Sequence, residues 1–377
     1  MKYYIIAGEA SGDLHGAGLM RHLAVEDSAA GFRVWGGELM QQQRGTLVKH
    51  YRDLAFMGFA EVISNLGTIL KNIRFCKRDI LAWNPDVVIL IDYPGFNLRI
   101  AAFAASHKIP VYYYISPQVW AWKKSRVKQI KKYVDRMFVI LPFEKDFYQK
   151  YGVEVDYVGH PLLDALQREK VNFHNPADFR ALHNLDRRLI IAVLPGSRKQ
   201  EIQRLLPLLL SAADAFPQYQ FVVAGAPSVP AEFYKQAAHG AEYKILFGAT
   251  HDLLHNAWAG LITSGTATLE TALLDVPQVV CYSGNILSFE IAKRIVDIKY
   301  ISLVNLIMDR PVVKELIQSE LTRGNIIKEL KMLLDHSHRK TMLEAYKSLR
   351  EKLGNAGASS RAAKLMTESL KRNKIDN

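Results

Sequence analysis

The chain has 377 residues and a mass of 42.7 kDa, which is enough for about two domains. Its composition, with 49% hydrophobic and 23% charged residues, is typical of globular proteins and excludes a disordered chain. There are only two cysteines, the first apolar run ends at Ala7, and no stretch reaches the ~18 uncharged apolar residues of a membrane span. These features predict a cytoplasmic protein without a disulfide framework, signal peptide or transmembrane helix.

The formal net charge of +12 is distributed unevenly along the chain. Basic residues exceed acidic residues by five in residues 1–165, by two in residues 166–345 and by five in residues 346–377. This pattern indicates an anionic partner for one half of the protein. Nucleic acid, a lipid surface and a phosphorylated substrate all fit the charge alone.

Short apolar runs alternate with helical patterns along most of the chain, as in parallel sheets with crossover helices. The runs lack polar alternation, which is typical of strands covered on both faces. In the first half they predict strands at residues 3–7, 32–35, 86–91, 111–115 and 136–141. In the second half they predict strands at residues 189–194, 220–224, 243–246, 260–263 and 278–281. From Val312 onward helical patterns dominate and strand signals stop.

A polar stretch with an Asn-Pro step, residues 167–188, separates the two halves and predicts an interdomain linker. The expected domains are therefore residues 1–166 and 189–345, followed by a helical tail at 346–377. The predicted fold class is α/β, with two Rossmann-like doubly wound domains facing each other across a cleft.

The first predicted strand runs into a glycine-rich turn at residues 8–18, which leads into a helix. Glycines at such a turn let backbone N–H groups approach a ligand beside the positive end of the helix dipole. The spacing matches neither the nicotinamide nor the Walker pattern, so neither cofactor is expected. Helix capping by Asp13 is the structural alternative. The predicted substrate contacts come from five residues of this turn: Gly8, Glu9, Ser11, Gly12 and Asp13.

Asp92 follows the predicted strand at 86–91 and precedes a proline turn. Ligand crevices of open α/β sheets lie at the carboxyl ends of the strands, and partial burial there would raise the pKa of a carboxyl group. Asp92 is therefore the candidate general base, although an aspartate before proline also forms turns. Glu9 and Asp13 are the alternative bases.

Two glycine turns in the second half repeat this arrangement. Gly196, Ser197 and Arg198 follow one strand, and the Arg198 guanidinium suits a diphosphate because its planar donors match phosphate oxygens. The other turn supplies Ser264, Gly265 and Thr266, with Glu270 on the helix that follows. Ordinary helix capping by the hydroxyl groups is the alternative for this second turn.

Two further patterns argue against other classes of site. The histidines of His251-Asp252-Leu253-Leu254-His255 have zinc-motif spacing, but Asp replaces the required Glu and no third ligand is apparent, so no metal site is expected. Residues 120–133 predict a solvated amphipathic helix whose aromatic residues do not interleave with its bases, so nucleic acid is not an expected partner.

Residues 54–70 form a largely apolar segment that is followed by a basic cluster. The segment is too polar to span a bilayer but suits an element lying on an anionic membrane surface. A buried core helix is the open alternative. The expected membrane contacts are Phe56, Met57, Phe59, Lys71 and Arg74.

Eight strings in order along the chain resemble motifs of the bacterial lipid-A-disaccharide synthases. They are GEASGD at 8–13, IDYPGFN at 91–97, YISPQVWAW at 114–122, LPFE at 141–144, VGHP at 158–161, LPGSR at 194–198, SGTATLE at 264–270 and YISLVNL at 300–306. The resemblance implies substrate contacts at Asn97, Ser116 and Asn305 within these motifs.

The resemblance also implies a glycosyltransferase of the B-type fold (GT-B). Members join UDP-2,3-diacylglucosamine to 2,3-diacylglucosamine 1-phosphate (lipid X), and they release UDP with a β-1,6-linked lipid A disaccharide 1-phosphate. The implied partners are the acylated donor, the acylated sugar phosphate acceptor and an anionic membrane, with the protein peripheral on the inner face of the inner membrane. Some members dimerise through their C-terminal region, which leaves a homodimer open.

Transfer from an α-linked diphosphate to a β-linkage requires inversion, one base and stabilisation of the leaving diphosphate. We assign Asp92 as the base and Arg198 with the Gly265–Thr266 helix end as the stabilising groups, while Glu270 reaches the ribose. The chain has no D-x-D, so no cofactor or metal is expected. A UDP-sugar 2-epimerase-like enzyme and a non-catalytic glycolipid-binding protein are the alternative functions.

Overall fold

The computed structural model describes residues 1–54, 66–122, 124–238, 240, 242–284 and 299–375. They form two compact units, one made of Met1–Asp164 with Asn355–Asn377 and the other of Ala165–Gly354. Each unit is built on a parallel sheet whose strands are connected through helices. The α/β prediction of two Rossmann-like units is therefore confirmed.

Apart from its two edge strands, the strands of the first unit are buried over most of their length, as their continuous apolar sequences predict. Within the described residues they are β1 Lys2–Ala7, β2 Gly31–Gly36, β3 Thr46–His50, β4 Val87–Ile91, β5 Val111–Tyr114, β6 Arg136–Val139 and β7 Asp156–Tyr157. Their order across the sheet is β3-β2-β1-β4-β5-β6-β7. The chain therefore reverses its direction of winding between β1 and β4, which pair with Ala7 opposite Ile91.

The helices of this unit include one from the C-terminal end of the chain. They are α1 Ala10–Glu26, α2 Glu38–Gln42, α3 Leu66–Trp83, α4 Pro94–Ser106, α5 Val119–Trp122, α6 Val127–Tyr133, α7 Pro142–Gln149, the start of α8 Pro161–Glu169, and α17 Ala358–Ile375, with short 3-10 helices at Tyr51–Asp53 and Lys124–Arg126. α17 packs along α1. The backbone N–H groups of Gly357, which precedes α17, and of Ala358 and Ser359 in its first turn donate to the Asp164 carboxylate.

The second unit repeats the arrangement with its own reversal of winding. Its strands are β8 Leu189–Leu194, β9 Tyr219–Gly225, β10 Lys244–Phe247, β11 Ala257–Thr263, β12 Gln278–Tyr282 and β13 Lys314–Ile317. Their order is β10-β9-β8-β11-β12-β13. The reversal lies between β8 and β11, where Leu194 pairs with Ile262.

Helices connect these strands and bury apolar clusters against the sheet. They are α9 Pro176–His183, α10 Lys199–Leu210, α11 Ala231–Ala237, α12 Thr250–His255, α13 Thr266–Leu273, α14 Leu303–Met308, α15 Arg323–Leu334 and α16 His336–Leu353, with 3-10 helices at Lys170–Asn172, Ala213–Ala215 and Gln318–Glu320.

The structure differs from the sequence analysis at three edges of the sheets. The prediction that strands end before Val312 is wrong, because Lys314–Ile317 forms the edge strand β13. Strands β3 and β7 were also missed. Many residues of these edge strands are only partly buried, so they lack the continuous apolar run that marks a central strand. The stretch expected to be a linker contains α9, whose first turn is capped by the Asn175 side chain.

Candidate active site

Two turns of the first unit lie side by side where its sheet reverses its winding. The turn at Gly8–Glu9 follows β1, and the turn at Asp92–Tyr93 follows β4, the neighbouring strand. Crevices that receive ligands form at the carboxyl ends of parallel strands at such a reversal. The fold therefore places two of the predicted site turns together.

The backbone at Asp92 is held in an unusual conformation. Asp92 and Tyr93 have φ angles of +44° and +49°, which cost about 1–2 kcal/mol for each L-residue. The carbonyl oxygen of Asp92 accepts hydrogen bonds from Asn97 Nδ2 at 2.7 Å and from the Tyr113 hydroxyl at 2.5 Å. The backbone N–H of Asp92 donates to the Ile115 carbonyl oxygen at 3.3 Å. Surrounding groups thus fix the backbone at the residue predicted to be the base.

The Asp92 carboxyl group has a pKa suited to proton transfer near neutral pH. Burial raises this pKa, the neighbouring Glu9 carboxylate raises it further, and the Tyr93 backbone N–H lowers it in part, so that it reaches about 6. At pH 7 the group is mostly ionised yet more basic than an ordinary aspartate. It can therefore accept a proton from a substrate hydroxyl.

Tyr93 joins the two turns physically. A Cβ atom on Gly8 would overlap the Tyr93 ring, so the ring can lie over the first turn only because residue 8 is glycine. The Tyr93 hydroxyl donates to the Leu54 carbonyl oxygen at 3.1 Å. Tyr93 was not among the predicted site residues, and the one available signal was its place beside Asp92.

Asp13 has a structural role. It is 2% exposed, and its carboxylate accepts backbone N–H groups of Gly37 at 2.7 Å, Leu39 at 3.1 Å and Met40 at 3.1 Å. These bonds hold the start of α2 instead of capping α1, so Asp13 is a poor alternative base. Ser11, by contrast, is exposed on the first turn of α1.

Gly12 is needed for packing, because a Cβ atom there would lie 3.0 Å from the Ala7 Cβ atom.

Asn97 and Ser116 are buried and hydrogen-bonded inside the unit. Asn97 Nδ2 also donates to the Ile91 carbonyl oxygen at 3.2 Å, and the Ser116 hydroxyl lies 2.7 Å from that of Tyr148. The observed role of Asn97 and Ser116 is structural, and their contact with substrate stays a prediction.

Glu144 is a buried acid that the sequence analysis did not single out. Burial raises its pKa to about 7, although the backbone N–H groups of Leu141 and Ile140 and the Trp120 indole donate to its carboxylate. These bonds tie the start of α7 to the segment around Trp120. The signal for this role was present, because Glu144 is the third helical residue after a Leu-Pro start.

In the second unit, the turn after β8 presents an exposed cation. Gly196 has a φ angle of +112°, and a Cβ atom there would lie 2.5 Å from Glu201 Oε2. The Glu201 carboxylate reaches back toward the Arg198 backbone N–H at 3.4 Å and the guanidinium at 3.5 Å. The Arg198 side chain is still 59% exposed, so it can contact a ligand. Ser197 lies in the same exposed turn.

The turn after β11 lies beside the turn after β8, because β8 and β11 are neighbours. Gly265 has a φ angle of +145° with open space on its Cβ side, and α13 begins at Thr266. The Ser264 hydroxyl donates to the Ile301 carbonyl oxygen at 3.0 Å. The backbone N–H groups at the start of α13 lie beside the turn that carries Arg198. Together these groups can bind a diphosphate.

Glu270 lies one turn further along α13, where His251 Nε2 is 3.3 Å from its Oε2 atom. The other histidine of the zinc-like motif, His255, packs against the Phe173 ring at a centroid distance of 4.9 Å. Across the described ranges no three His, Cys, Asp or Glu side chains group as metal ligands.

The hydrogen-bonding groups of the Asn305 side chain all have partners within its own loop. Its amide nitrogen donates to the Val313 carbonyl oxygen and to Glu315 at 2.9 Å each, and its oxygen accepts the backbone N–H groups of Val312 at 2.8 Å and Val313 at 2.9 Å. Glu315 also accepts the backbone N–H groups of Ile301 and Ser302. The motif at 300–306 is therefore held in place by Asn305 and Glu315, and substrate contact by Asn305 stays a prediction.

The expected membrane element is only partly described. Phe56, Met57 and Phe59 lie outside the described residues. Lys71 and Arg74 lie exposed on α3, which buries Ile73, Cys76 and Ile80 against the unit. In the part of the chain that the structure covers, no helix is long and apolar enough to cross a bilayer.

Solved structures with the same fold include nucleotide-sugar enzymes. A UDP-GlcNAc 2-epimerase from Neisseria meningitidis bound to UDP-GlcNAc matches with a TM-score of 0.68 over 99% of this chain and 100% of that chain, at 14% identity. A UDP co-structure of S. aureus MnaA matches with a TM-score of 0.70 over 98% of this chain and 97% of that chain, also at 14% identity. At this identity the similarity establishes the fold alone.

The sequence comparisons identify the family. The family model described as lipid-A-disaccharide synthetase matches residues 3–369. A lipid-A-disaccharide synthase from Syntrophus aciditrophicus is 40% identical over 98% of this chain and 97% of the relative. One from Trichlorobacter lovleyi is 39% identical over 96% of each. The chain therefore belongs to the lipid-A-disaccharide synthase family.

Proposed function

We propose that this protein transfers the acylated glucosamine of UDP-2,3-diacylglucosamine to the 6-hydroxyl of 2,3-diacylglucosamine 1-phosphate. The products are UDP and a β-1,6-linked disaccharide 1-phosphate. The family match over residues 3–369 is the observation that carries the proposal. The chemistry of Asp92, at the reversal of the first sheet, is consistent with it.

In the proposed reaction Asp92 accepts the proton of the acceptor hydroxyl. The hydroxyl oxygen attacks the anomeric carbon of the donor from the side opposite the diphosphate, and the bond between that carbon and the diphosphate oxygen breaks. The electron pair leaves with UDP, so the configuration inverts. Because the pKa of Asp92 is raised to about 6, the carboxylate is a stronger base than an exposed aspartate.

The second unit supplies the donor site in this proposal. Arg198 and the backbone N–H groups at the start of α13 stabilise the negative charge that develops on the leaving diphosphate. Gly196 and Ser197 let the diphosphate approach the turn, and Glu270 accepts hydrogen bonds from the ribose hydroxyls. Cationic and dipolar groups of the protein thus take the role that a D-x-D motif with Mg²⁺ takes elsewhere.

The first unit supplies the acceptor and membrane side. Acyl chains keep both substrates at a bilayer, and α3 presents Lys71, Arg74 and Arg78 as an exposed basic row. Two large apolar side chains on the same helix, Leu70 and Phe75, are 44% and 38% exposed. This combination suits attachment to an anionic membrane surface. We place the protein on the inner face of the inner membrane.

The test is product analysis with both acylated substrates. Release of UDP that requires the acylated acceptor, together with the mass of the disaccharide 1-phosphate, supports transfer. Conversion of the UDP-sugar in the absence of acceptor would instead indicate an epimerase. Binding of both substrates with no product would indicate a non-catalytic glycolipid-binding protein.

A further inference from the structure

An imidazole lies between two carboxylates in the second unit. His251 on α12 is hydrogen-bonded through Nδ1 to Glu169 Oε2, at the end of α8. Its Nε2 atom is 3.3 Å from Glu270 Oε2 on α13. The His251 side chain is 19% exposed and that of Glu270 is 21% exposed, so the second contact is largely shielded from water.

This geometry favours a protonated imidazole. Ionised carboxylates only accept hydrogen bonds and a neutral imidazole has a single N–H, so a neutral His251 can donate to only one of two ionised carboxylates, whereas an imidazolium can pair with both. Burial alone would lower the pKa of His251, but the hydrogen bonds to Glu169 and Glu270 outweigh burial and raise the pKa to about 9. The carboxylate next on α12, Asp252, pairs instead with His174 Nδ1 at 2.6 Å.

The contact restrains a side chain that would otherwise rotate. Glutamate loses considerable rotamer freedom when it is ordered, and that loss weakens binding if it occurs only when the ligand arrives. His251 engages one oxygen of Glu270, while the carboxylate has a second oxygen that can accept a hydroxyl hydrogen. Glu270 also lies one turn beyond Gly265 and Thr266, at the reversal of the second sheet.

We propose that His251 is a positioning residue for donor binding, which as an imidazolium holds Glu270 in place for the ribose hydroxyls of UDP. Glu169 in turn orients the imidazole from its other side. The inference rests on the proposed function, because it takes Glu270 as the ribose contact.

UDP titration by calorimetry with the purified full chain tests the inference. His251→Gln removes the charge but keeps a side chain of similar length, and it should raise the Kd for UDP about tenfold at pH 7.5. His251→Arg keeps a charge with several donors and should bind within about twofold of the unchanged protein. The matched control is His174→Gln, which breaks the other histidine–carboxylate pair and should leave the Kd unchanged. A Kd for His251→Gln equal to that of the unchanged protein overturns the inference.

The pH dependence gives a readout that a purely structural role would not produce. The pKa of His251 is raised above its ordinary value of 6.5, so the charge is fully present below that value and is lost as the pH rises through about 9. The ratio of the Kd of the unchanged protein to that of His251→Arg should therefore increase between pH 8 and pH 10. Titration of the ligand itself cancels in this ratio. A constant ratio contradicts the inference.

A double variant separates positioning from a general effect on the fold. In a Glu270→Gln background, His251→Gln should cause no further loss of UDP affinity. An equal loss in both backgrounds would mean that His251 acts through the fold and would refute the inference. Absence of UDP binding by the unchanged protein would count against the proposed function itself, whereas normal UDP binding by His251→Gln counts against this inference alone.

Discussion

Replacement of Asp92 by asparagine should remove activity while making the protein more stable. Asn keeps the size of the side chain and, among L-residues, tolerates the φ angle of +44° well. It cannot accept the proton of the acceptor, so turnover should fall by about 10² to 10⁴. Affinity for UDP should stay nearly normal, because the proposed donor site is built from other residues.

The stability change follows from the pKa of Asp92. Folding raises this pKa from 3.8 to about 6, and at ~1.4 kcal/mol per pH unit the buried charge costs as much as about 3 kcal/mol at pH 7. A raised carboxyl pKa means that the penalty is absent at low pH and grows as the pH rises through 3.8 toward 6. Asp92→Asn should therefore raise the free energy of unfolding at pH 7 and have little effect near pH 4.

Three assays decide this prediction together. Steady-state rates measure turnover, calorimetry measures UDP affinity, and urea unfolding at pH 7 and pH 4 measures stability. In the unchanged protein, kcat/KM should fall as the pH drops below about 6, since the base becomes protonated. Near-normal turnover of Asp92→Asn would remove Asp92 from the base role and leave Glu9 as the next candidate. A variant no more stable at pH 7 than the unchanged protein would refute the pKa argument.

Three further predictions concern the diphosphate, the metal and the membrane. Arg198→Ala should weaken UDP binding by about 1.5–3 kcal/mol in calorimetry and also slow turnover, because the lost contact exists in both ground and transition states; unchanged affinity would exclude Arg198 from the donor site. Chelation with EDTA should leave the rate intact, whereas a loss restored specifically by Mg²⁺ or Mn²⁺ would show that the charge-stabilising groups are misassigned. Replacing Phe56, Met57 and Phe59 by serine should leave a folded protein that no longer co-sediments with anionic vesicles, and added salt should weaken the binding of the unchanged protein. If that triple variant unfolds, the segment belongs to the core.

Much of the fold follows from patterns that sequence alone reveals. The central strands are continuous apolar runs, and the predicted strand at 189–194 coincides with β8. Three of the four edge strands in the described sheets were not predicted, because strands such as Thr46–His50 and Lys314–Ile317 mix polar and apolar residues, as exposed edges do. Local pattern therefore identifies the buried centre of a sheet better than its border.

In the candidate site, too, sequence predicts some features and leaves others undetermined. Sequence predicts which residues follow a strand and therefore identifies the turns at Gly8 and Asp92, but it does not show that these two turns lie side by side. It does not show where a polar side chain points: the Asp13 carboxylate accepts a buried backbone N–H group 24 positions away, and the Asn305 amide donates to a backbone carbonyl oxygen 8 positions away in its own loop. The contact of His251 with Glu169 joins residues 82 positions apart and carries no local signal.

The most direct test of the account is mass spectrometry of the products formed from UDP-2,3-diacylglucosamine and 2,3-diacylglucosamine 1-phosphate, by the unchanged protein and by Asp92→Asn in parallel. We predict the tetra-acylated disaccharide 1-phosphate with one equivalent of UDP from the unchanged protein, in a reaction that requires both substrates. The Asp92→Asn protein should yield about 10² to 10⁴ times less in the same time. Equal yields from the two proteins, or UDP-sugar conversion without the acceptor, would contradict the account.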